Sequence, residues 1–478
     1  MVGRKEELKY FKSLLNEEES QFVAVFGRRR IGKTYLIRES FEYKFTFEHT
    51  GISNVTTDAS CQRQAQLDKF LESLNRYGYF NDEKITNWNQ AFNCLKQIIE
   101  RSNDKKKIIF IDELSWMDTK NSDLISALES FWNGWVMSRK EKDVILIVCA
   151  SATYWMTENI VNAKGGLHNR LTGQIYLKPF TLRECEEYLK TKNINFNRHQ
   201  ILQCYMILGG VPYYWSLLKK GKSLPQNVDD LFFKDNALLK NEFENLYRAL
   251  FNKPDQYIKI IEILSESNNG ITRDEIISRS GIPGSGDLSK KLEELENCGF
   301  VRKYIPFGYK QKNYIYQLMD NFTLFYYKFI KDNVYDDNYW QNQINSPKVK
   351  AWSGLAFEKI CLEHIAEIKK ALGISGVYTE VNGWSCKKDL DKGIFGSQID
   401  LLIVRKDQII NLCEMKYSET DYIVDLDFDK SMKKKISDFM NITKTKYAIH
   451  PTLITTYDVI ENSYSKEIQS IIKSDDLF

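Results

Sequence analysis

Eight consecutive residues, Gly27 to Thr34, read GRRRIGKT: a glycine, four intervening residues, then Gly-Lys-Thr. Glycines at both ends free such a loop to curl until its backbone N–H groups converge, which makes a cradle for phosphate. A lysine beside the second glycine can reach β- and γ-phosphates, and the hydroxyl after it can ligate Mg²⁺. The flanks suit this chemistry. The apolar run QFVAVFG (21–27) reads as a buried strand, and TYLIRESF (34–41) reads as a helix; a strand–loop–helix order is the context the motif requires. The candidate nucleotide-contacting residues are therefore Gly27, Arg28, Arg29, Arg30, Ile31, Gly32, Lys33, Thr34 and Tyr35.

A second apolar run, KKIIFIDE (106–113), ends in two acids. Asp112 at the strand end can hold the Mg²⁺ shell, together with Thr34, and Glu113 can polarise an attacking water. A third run, DVILIVCAS (143–151), ends in Ser151, a hydroxyl placed to sense the γ-phosphate, with Thr153 as its rival. The cofactors implied are ATP and Mg²⁺.

A different constellation lies near the C-terminus. AWSGLAFEKICLEHIAEIKKALGI (351–374) reads as one amphipathic helix, with Glu358 on the same face as Cys361, Leu362 and Ile365. A carboxylate on an apolar face is costly unless it binds a metal or is hydrogen-bonded. GSQIDLLIVRKDQIINLCEMKYS (396–418) reads as a β-hairpin with Asp400 in its first strand and Glu414 and Lys416 in its second. Alternate strand residues share a face, so Asp400 and Glu414 can jointly hold Mg²⁺ while Lys416 positions a water or stabilises a phosphoryl transition state. The bland alternative is a charged hairpin with an incidental E-x-K. Lys387, Lys388 and Lys433 to Lys435 could line a phosphate-binding surface or simply face solvent.

These residues need a multidomain scaffold, and 478 residues exceed one core. The expected class is α/β. Residues 1–180 alternate short apolar strands with helices, which predicts a largely parallel sheet. Residues 181–250 read as a helical lid, 321–345 as a helical linker and 346–478 as a second α/β domain. Residues 251–320 show the helix–helix–helix–hairpin order of a winged helix, turning at Gly308. Its third helix carries Asp287, Glu293, Glu294 and Glu296 against Lys290 and Lys291, a poor match to DNA phosphates, so the wing lysines Lys310 and Lys312 are the better DNA contacts. The segment is either a packing module or a DNA reader.

Net charge is +3, which neither demands nor excludes a polyanionic partner. The nine cysteines form no CxxC pair, and with five histidines they offer no zinc cluster. The polar start MVGRKEELKY and the lack of any apolar run near ~20 residues point away from a membrane and toward a cytoplasmic protein.

Several segments together resemble the AAA+-related, STAND-like P-loop ATPases abundant in archaea: VGRKEELK (2–9), GRRRIGKT, IDELSWM (111–117), ASATYWM, GGLHNRLTGQIYLKPF (165–180) and GGVPYYW (209–215). The family usually has Gly where this chain has Ala150 before the sensor serine. The resemblance implies that Gly3 and Arg4 lie near the adenine, that Arg170 is an arginine finger, acting in trans within a homo-oligomer, and that Gly209 to Pro212 form a nucleotide-sensing lid motif. Residues 350–420 are similar to the PD-(D/E)xK nucleases, although no proline precedes Ile399-Asp400. The resulting expectation is an ATPase coupled to a nuclease-like domain acting on DNA or another nucleic acid. Two alternatives stand beside it. One is a STAND-type regulatory ATPase whose C-terminal domain binds partners without cleavage, and the other is a transcription regulator working through the winged helix.

Overall fold

In the computed structural model, described for residues 1–53, 59–80, 84–251, 253–309, 313–332, 336–387 and 396–478, the chain forms two compact units. The first comprises Met1–Pro179 with Leu246–Asn252, and the second comprises Phe180–Asn245 with Lys253–Phe478. Lys310, Lys312 and Lys388 lie outside the described residues.

The first unit is built on a parallel sheet ordered β2-β3-β4-β1-β5, with β1 Gln21–Phe26, β2 Phe47–Thr50, β3 Lys107–Asp112, β4 Val144–Ala150 and β5 Gly173–Tyr176. Every residue of β1, β3 and β4 is buried. That is why these segments read as unbroken apolar runs: helices cover both faces of a parallel sheet, so neither face can be polar. The two-residue alternation still sorts the side chains. Phe22, Ala24, Ile109, Ile111, Leu146 and Val148 enter the core on one face. Val23, Val25, Phe110, Ile145 and Ile147 meet Phe11, Leu36 and Ile37 on the other. Because β4 lies between β3 and β1, the carboxyl ends of these three strands are neighbours, and ligands of open α/β sheets bind outside such ends.

The second unit begins with the helices Leu182–Thr191, Arg198–Leu208, Pro212–Ser216 and Leu224–Phe232. Thr181, Asn197 and Ser223 each cap a helix with a reciprocal capping box, so three of these four starts are set by local side-chain bonds. Next comes a helical segment, Pro254–Ser265, then β6 (Ile271–Thr272), two more helices (Arg273–Ser280, Gly286–Asn297), and β7 (Val301–Tyr304) with β8 (Ile315–Leu318) in an antiparallel sheet ordered β6-β8-β7. Phe325, Phe329 and Trp340 pack against Trp352, the last two edge-on and Phe325 tilted, and are almost wholly buried.

The C-terminal sheet is ordered β15-β13-β11-β10-β9, from β9 Thr379–Cys386, β10 Ser397–Arg405, β11 Ile409–Lys416, β13 Ala448–Thr455 and β15 Ser470–Lys473. β9, β10 and β11 run antiparallel, whereas β13 and β15 join in parallel. A small parallel pair links β12 (Tyr422–Ile423) with β14 (Val459–Ile460). The segment expected as one helix over 351–374 is two, Pro347–Glu363 and Ile365–Ala371. The break falls at His364, whose buried ring donates from Nδ1 to the Ile360 carbonyl (2.9 Å) and accepts the Leu182 N–H at Nε2 (3.2 Å). Capturing that N–H, an orphan at the start of Leu182–Thr191, is a tertiary demand with no local signature.

Gly210 sits where a Cβ would lie 1.9 Å from the Phe180 carbonyl oxygen, against a backbone that donates Phe180 N–H to the Gly210 carbonyl (2.6 Å). Backbone cannot retreat as a flexible side chain can. Gly210→Ala is expected to destabilise the second unit by about 3 kcal/mol, seen as an earlier denaturant midpoint; an unchanged midpoint would contradict the packing described.

Candidate nucleotide site

The loop leaves β1 at Gly27, whose φ of 142° suits glycine alone and whose absent Cβ would stand 2.4 Å from the Leu177 carbonyl oxygen. Gly32, with φ 88°, turns the chain into the helix Lys33–Ser40. Lys33 is 5% exposed, and its Nζ donates to the carbonyls of Gly27 (2.9 Å) and Arg28 (3.0 Å) and to Ser151 Oγ (3.1 Å). A buried ammonium must find acceptors, and here the loop it would serve supplies two of them.

The ends of β3 and β4 close the arrangement. Thr34 Oγ1 donates to Asp112 Oδ2 at 2.7 Å. Asp112 Oδ1 accepts the Glu113 N–H (2.9 Å), which helps hold Glu113 in a left-handed conformation, φ 50°, at the strand end. Ser151 grips Glu113 twice, through its Oγ (2.7 Å) and its backbone N–H (3.2 Å). Ser151 therefore links the lysine to the glutamate. Its rival Thr153 is buried with Oγ1 making no hydrogen bond among the described residues.

Other residues of the reading spread around this centre. Arg28 and Ile31 are buried, Arg29 lies 5.8 Å over the Trp116 ring, Arg30 takes a left-handed turn conformation, and Tyr35 is 55% exposed. Gly3 and Arg4 are buried, and Arg4 donates to the Lys178 carbonyl at 2.5 Å. Arg170 is exposed, closing a turn that Asn133 holds by donating to the Gly166 carbonyl (2.7 Å). Pro212 belongs to the second unit, in the first turn of Pro212–Ser216.

Residues 1–218 match an ATPase domain found predominantly in Archaea. The chain belongs to the archaeal-type P-loop ATPases. An uncharacterized protein of Methanocaldococcus jannaschii is 26% identical over 450 residues, covering 93% of this chain and 92% of that protein. An uncharacterized ATP-binding protein of the same organism is 44% identical over 43 residues, 9% of this chain and 73% of that one. Among solved structures, the Walker-type ATPase of Pyrococcus abyssi aligns with a TM-score of 0.43 and 15% identity, over 68% of this chain and 95% of that one. Nucleotide binding follows from the family. No helix among the described residues is long and apolar enough to cross a membrane.

The C-terminal constellation lies in the second unit of this P-loop ATPase. Extending the β10–β11 register one residue past Leu401↔Cys413 sets Asp400 opposite Glu414, so the two share a sheet face. Both Glu414 oxygens are taken by lysines, Oε1 by Lys416 (3.0 Å) and Oε2 by Lys435 (2.6 Å). Burial alone would raise the Glu414 carboxyl, but Lys435 and Lys416 together draw it below its ordinary value. Glu358 is pushed up to about 7, chiefly by burial, with Asp400 adding to the shift. Beside it in sequence, Lys359 is 3% exposed and donates to the Asn268 carbonyl (2.7 Å); burial and then Arg302 draw it down to about 7.

Sequence reasoning passed over Lys359 and Arg302 and left the lysine run open between a phosphate-binding surface and a solvated face. Lys435 binds Glu414, Lys433 binds Asp429 (2.9 Å), and Lys434 donates to the Gly396 carbonyl (3.3 Å), while Lys387 is exposed. In the middle segment Lys291, expected on an exposed face, is buried and paired with Asp287. The only available signal for Lys359 was its adjacency to Glu358, since two successive helix positions cannot both face water when one side is a sheet and the other a neighbouring module.

The raised Glu358 value gives a signed pH effect. The folded state holds this proton more tightly than the unfolded chain, so stability falls as pH rises from 4.5 toward about 7. Glu358→Gln removes that slope. Relative to wild type, the variant should gain about 1–3 kcal/mol between about pH 4 and about pH 8, read by thermal denaturation; the same difference at both ends would mean that Glu358 is solvated.

Proposed function

We propose that this chain is an Mg²⁺-dependent ATP-hydrolysing switch whose C-terminal nuclease-like domain engages a partner, DNA or another nucleic acid, without cutting it in the state described. The observation that carries the ATPase half is the continuous link Lys33–Ser151–Glu113 beside the Thr34–Asp112 pair. The donors suit Mg²⁺: a hydroxyl and a carboxylate oxygen 2.7 Å apart are hard ligands side by side. Thr34 and Asp112 would hold the ion, which supplies charge neutralisation on the phosphates.

The chain's own residues account for the rest. Lys33 exchanges the loop carbonyls for phosphate oxygens, a gain because a full negative charge is a stronger acceptor than a carbonyl dipole. That exchange leaves Ser151 free to turn toward the γ-phosphate, and Glu113 is then released to orient water. Coupling lysine to glutamate through one hydroxyl ties water activation to bound triphosphate. The exposure of Arg170 supports a role as a cation presented to the γ-phosphate of a neighbouring copy.

For the C-terminal half, the lysine caps on both Glu414 oxygens favour the binding reading over the cutting one. The helix–strand–helix–helix–hairpin order of 254–318 supports a winged-helix module, but the buried Lys291 supports packing rather than base readout. Incubating supercoiled plasmid with the protein and Mg²⁺ separates the readings: nicking that Asp400→Ala abolishes would restore the nuclease, and salt-dependent binding without nicking supports the present one.

Two variants test the ATPase site. Lys33→Ala should lose at least about 1.5–3 kcal/mol of ATP binding by calorimetry, and wild-type affinity would end the reading. Glu113→Gln should bind ATP and fail to hydrolyse it. Mixing Glu113→Gln with Arg170→Ala should recover turnover if the arginine acts in trans; unchanged turnover by Arg170→Ala alone would remove that role.

A further inference from the structure

The parallel pair β12–β14 presents one face to solvent. Its register sets Tyr422 beside Val459 and Ile423 beside Ile460, and successive strand residues point to opposite faces. Tyr422 and Val459 take the inner face, packed against the core that holds Leu412, Phe428 and Met432, with the Tyr422 ring edge-on to Phe428 at 5.9 Å. Ile423 and Ile460 are thereby directed outward, 58% and 46% exposed. Leu426, three residues on, is 44% exposed.

This face is fixed. The Tyr422 N–H donates to the Asp458 carbonyl (2.7 Å), Asn462 Nδ2 donates to the Val424 carbonyl (2.9 Å), and Val424 is 1% exposed. Turning the pair over would bury the isoleucines only by exposing Tyr422 and Val459.

Charge surrounds the two isoleucines. One residue back along the same register, Asp421 falls beside Asp458, and both are exposed. The two-residue period sets them on the outward face, so each strand offers an aspartate and then an isoleucine. Like charges directly opposite each other across a ladder are unfavourable. Lys473 relieves one, 2.8 Å from Asp458, whereas among the described residues Asp421 has no ion pair. Other acids nearby have local uses. Asp425 accepts the Phe428 N–H as a helix cap (2.8 Å), Asp427 lies in the first turn of that helix, Glu419 pairs with Lys350 (3.6 Å), and Glu461 pairs with Lys466 (3.4 Å).

An exposed apolar pair on a fixed sheet face suits a contact surface, and the charge beside it selects the occupant. Nucleic-acid phosphates and anionic lipid headgroups are repelled by Asp421 and Asp458. A second copy meeting this face through a two-fold axis would set the same acids against themselves. A protein segment with lysine or arginine beside apolar side chains satisfies both features: its apolar groups cover the isoleucines, and its cations separate the aspartates. We propose that the outward face of β12–β14 is a docking surface for an extended protein segment carrying a basic and an apolar residue two positions apart. That spacing matches the aspartate and isoleucine on each strand. The proposal goes beyond the reading given above and rests on neither the ATPase site nor the D…E-x-K face.

Fluorescence anisotropy tests this with the full-length, nucleotide-free chain and a fluorescein-labelled peptide, Gly-Lys-Ser-Ile-Ser-Lys-Ser-Ile-Gly. The wild type is expected to bind it, more weakly as salt rises. Ile423→Ser with Ile460→Ser is expected to weaken binding at least about tenfold, and Asp421→Asn with Asp458→Asn should do the same while flattening the salt dependence. Peptides with glutamate for lysine, or serine for isoleucine, should bind at least about tenfold more weakly than the parent. No binding by the wild type, or unchanged affinity in either folded double variant, overturns the proposal. Should the isoleucine variant not fold, the aspartate pair decides alone, since its side chains are exposed. A wild-type dimer seen by light scattering and dissolved by the isoleucine variant would assign the face to a second copy. Duplex DNA bound by the wild type and lost by that variant would assign it to nucleic acid. Either result also overturns the proposal, and none of these outcomes bears on ATP binding.

Discussion

A single buried ammonium organises the nucleotide centre. Lys33 is almost sealed from water and satisfies its charge on two carbonyls of its own loop and on Ser151. Leaving such a group unpaired would cost several kcal/mol, so the loop must curl back over it and the end of β4 must stay close. Gly27 makes the curl sterically feasible, and the strand order β3-β4-β1 brings Ser151 into reach. The same bond that stabilises the lysine leaves Ser151 as a donor, and its proton goes to Glu113. Stability and latent chemistry are therefore expressed through one hydroxyl.

The second unit solves its charge problem differently. Glu414 is held between Lys416 and Lys435, while the cations Lys359 and Arg302 rest on neutral acceptors, the Asn268 carbonyl and Gln317. Buried ion networks are weak sources of net stability, because desolvation offsets much of the attraction. They do, however, penalise any arrangement that separates the partners. The middle module is held against the C-terminal sheet by the Phe307 N–H on the Gly383 carbonyl and by apolar contacts such as Phe307 on Phe439.

His364 shows how the two halves of the second unit constrain each other. Its ring spans from the Ile360 carbonyl to the Leu182 N–H, beneath Tyr205. The helix carrying Glu358 must end there, and it points Glu358 and Lys359 at the sheet and the middle module. Nothing in the local pattern ICLEHIAEI marks a break. Uninterrupted helical periodicity predicted continuity, and long-range hydrogen bonding overruled it.

What the sequence alone determined is the chemistry carried by contiguous residues. A loop whose two glycines, lysine and threonine are covalently adjacent can close on a phosphate in only a few ways, and unbroken apolar runs must be strands covered on both sides. The acids at the end of β3 and the hydroxyl after β4 were legible for the same reason: a strand end is a place that the pattern marks. Tertiary structure decided which charges meet. Lys359 and its acceptor Asn268 are separated by 91 positions, and Lys435 reaches Glu414 from a helix 21 residues later. Neither encounter has a period or a spacing, because each depends on how separate elements pack, and packing is set by shape and burial summed over the whole unit rather than by any local run of residues.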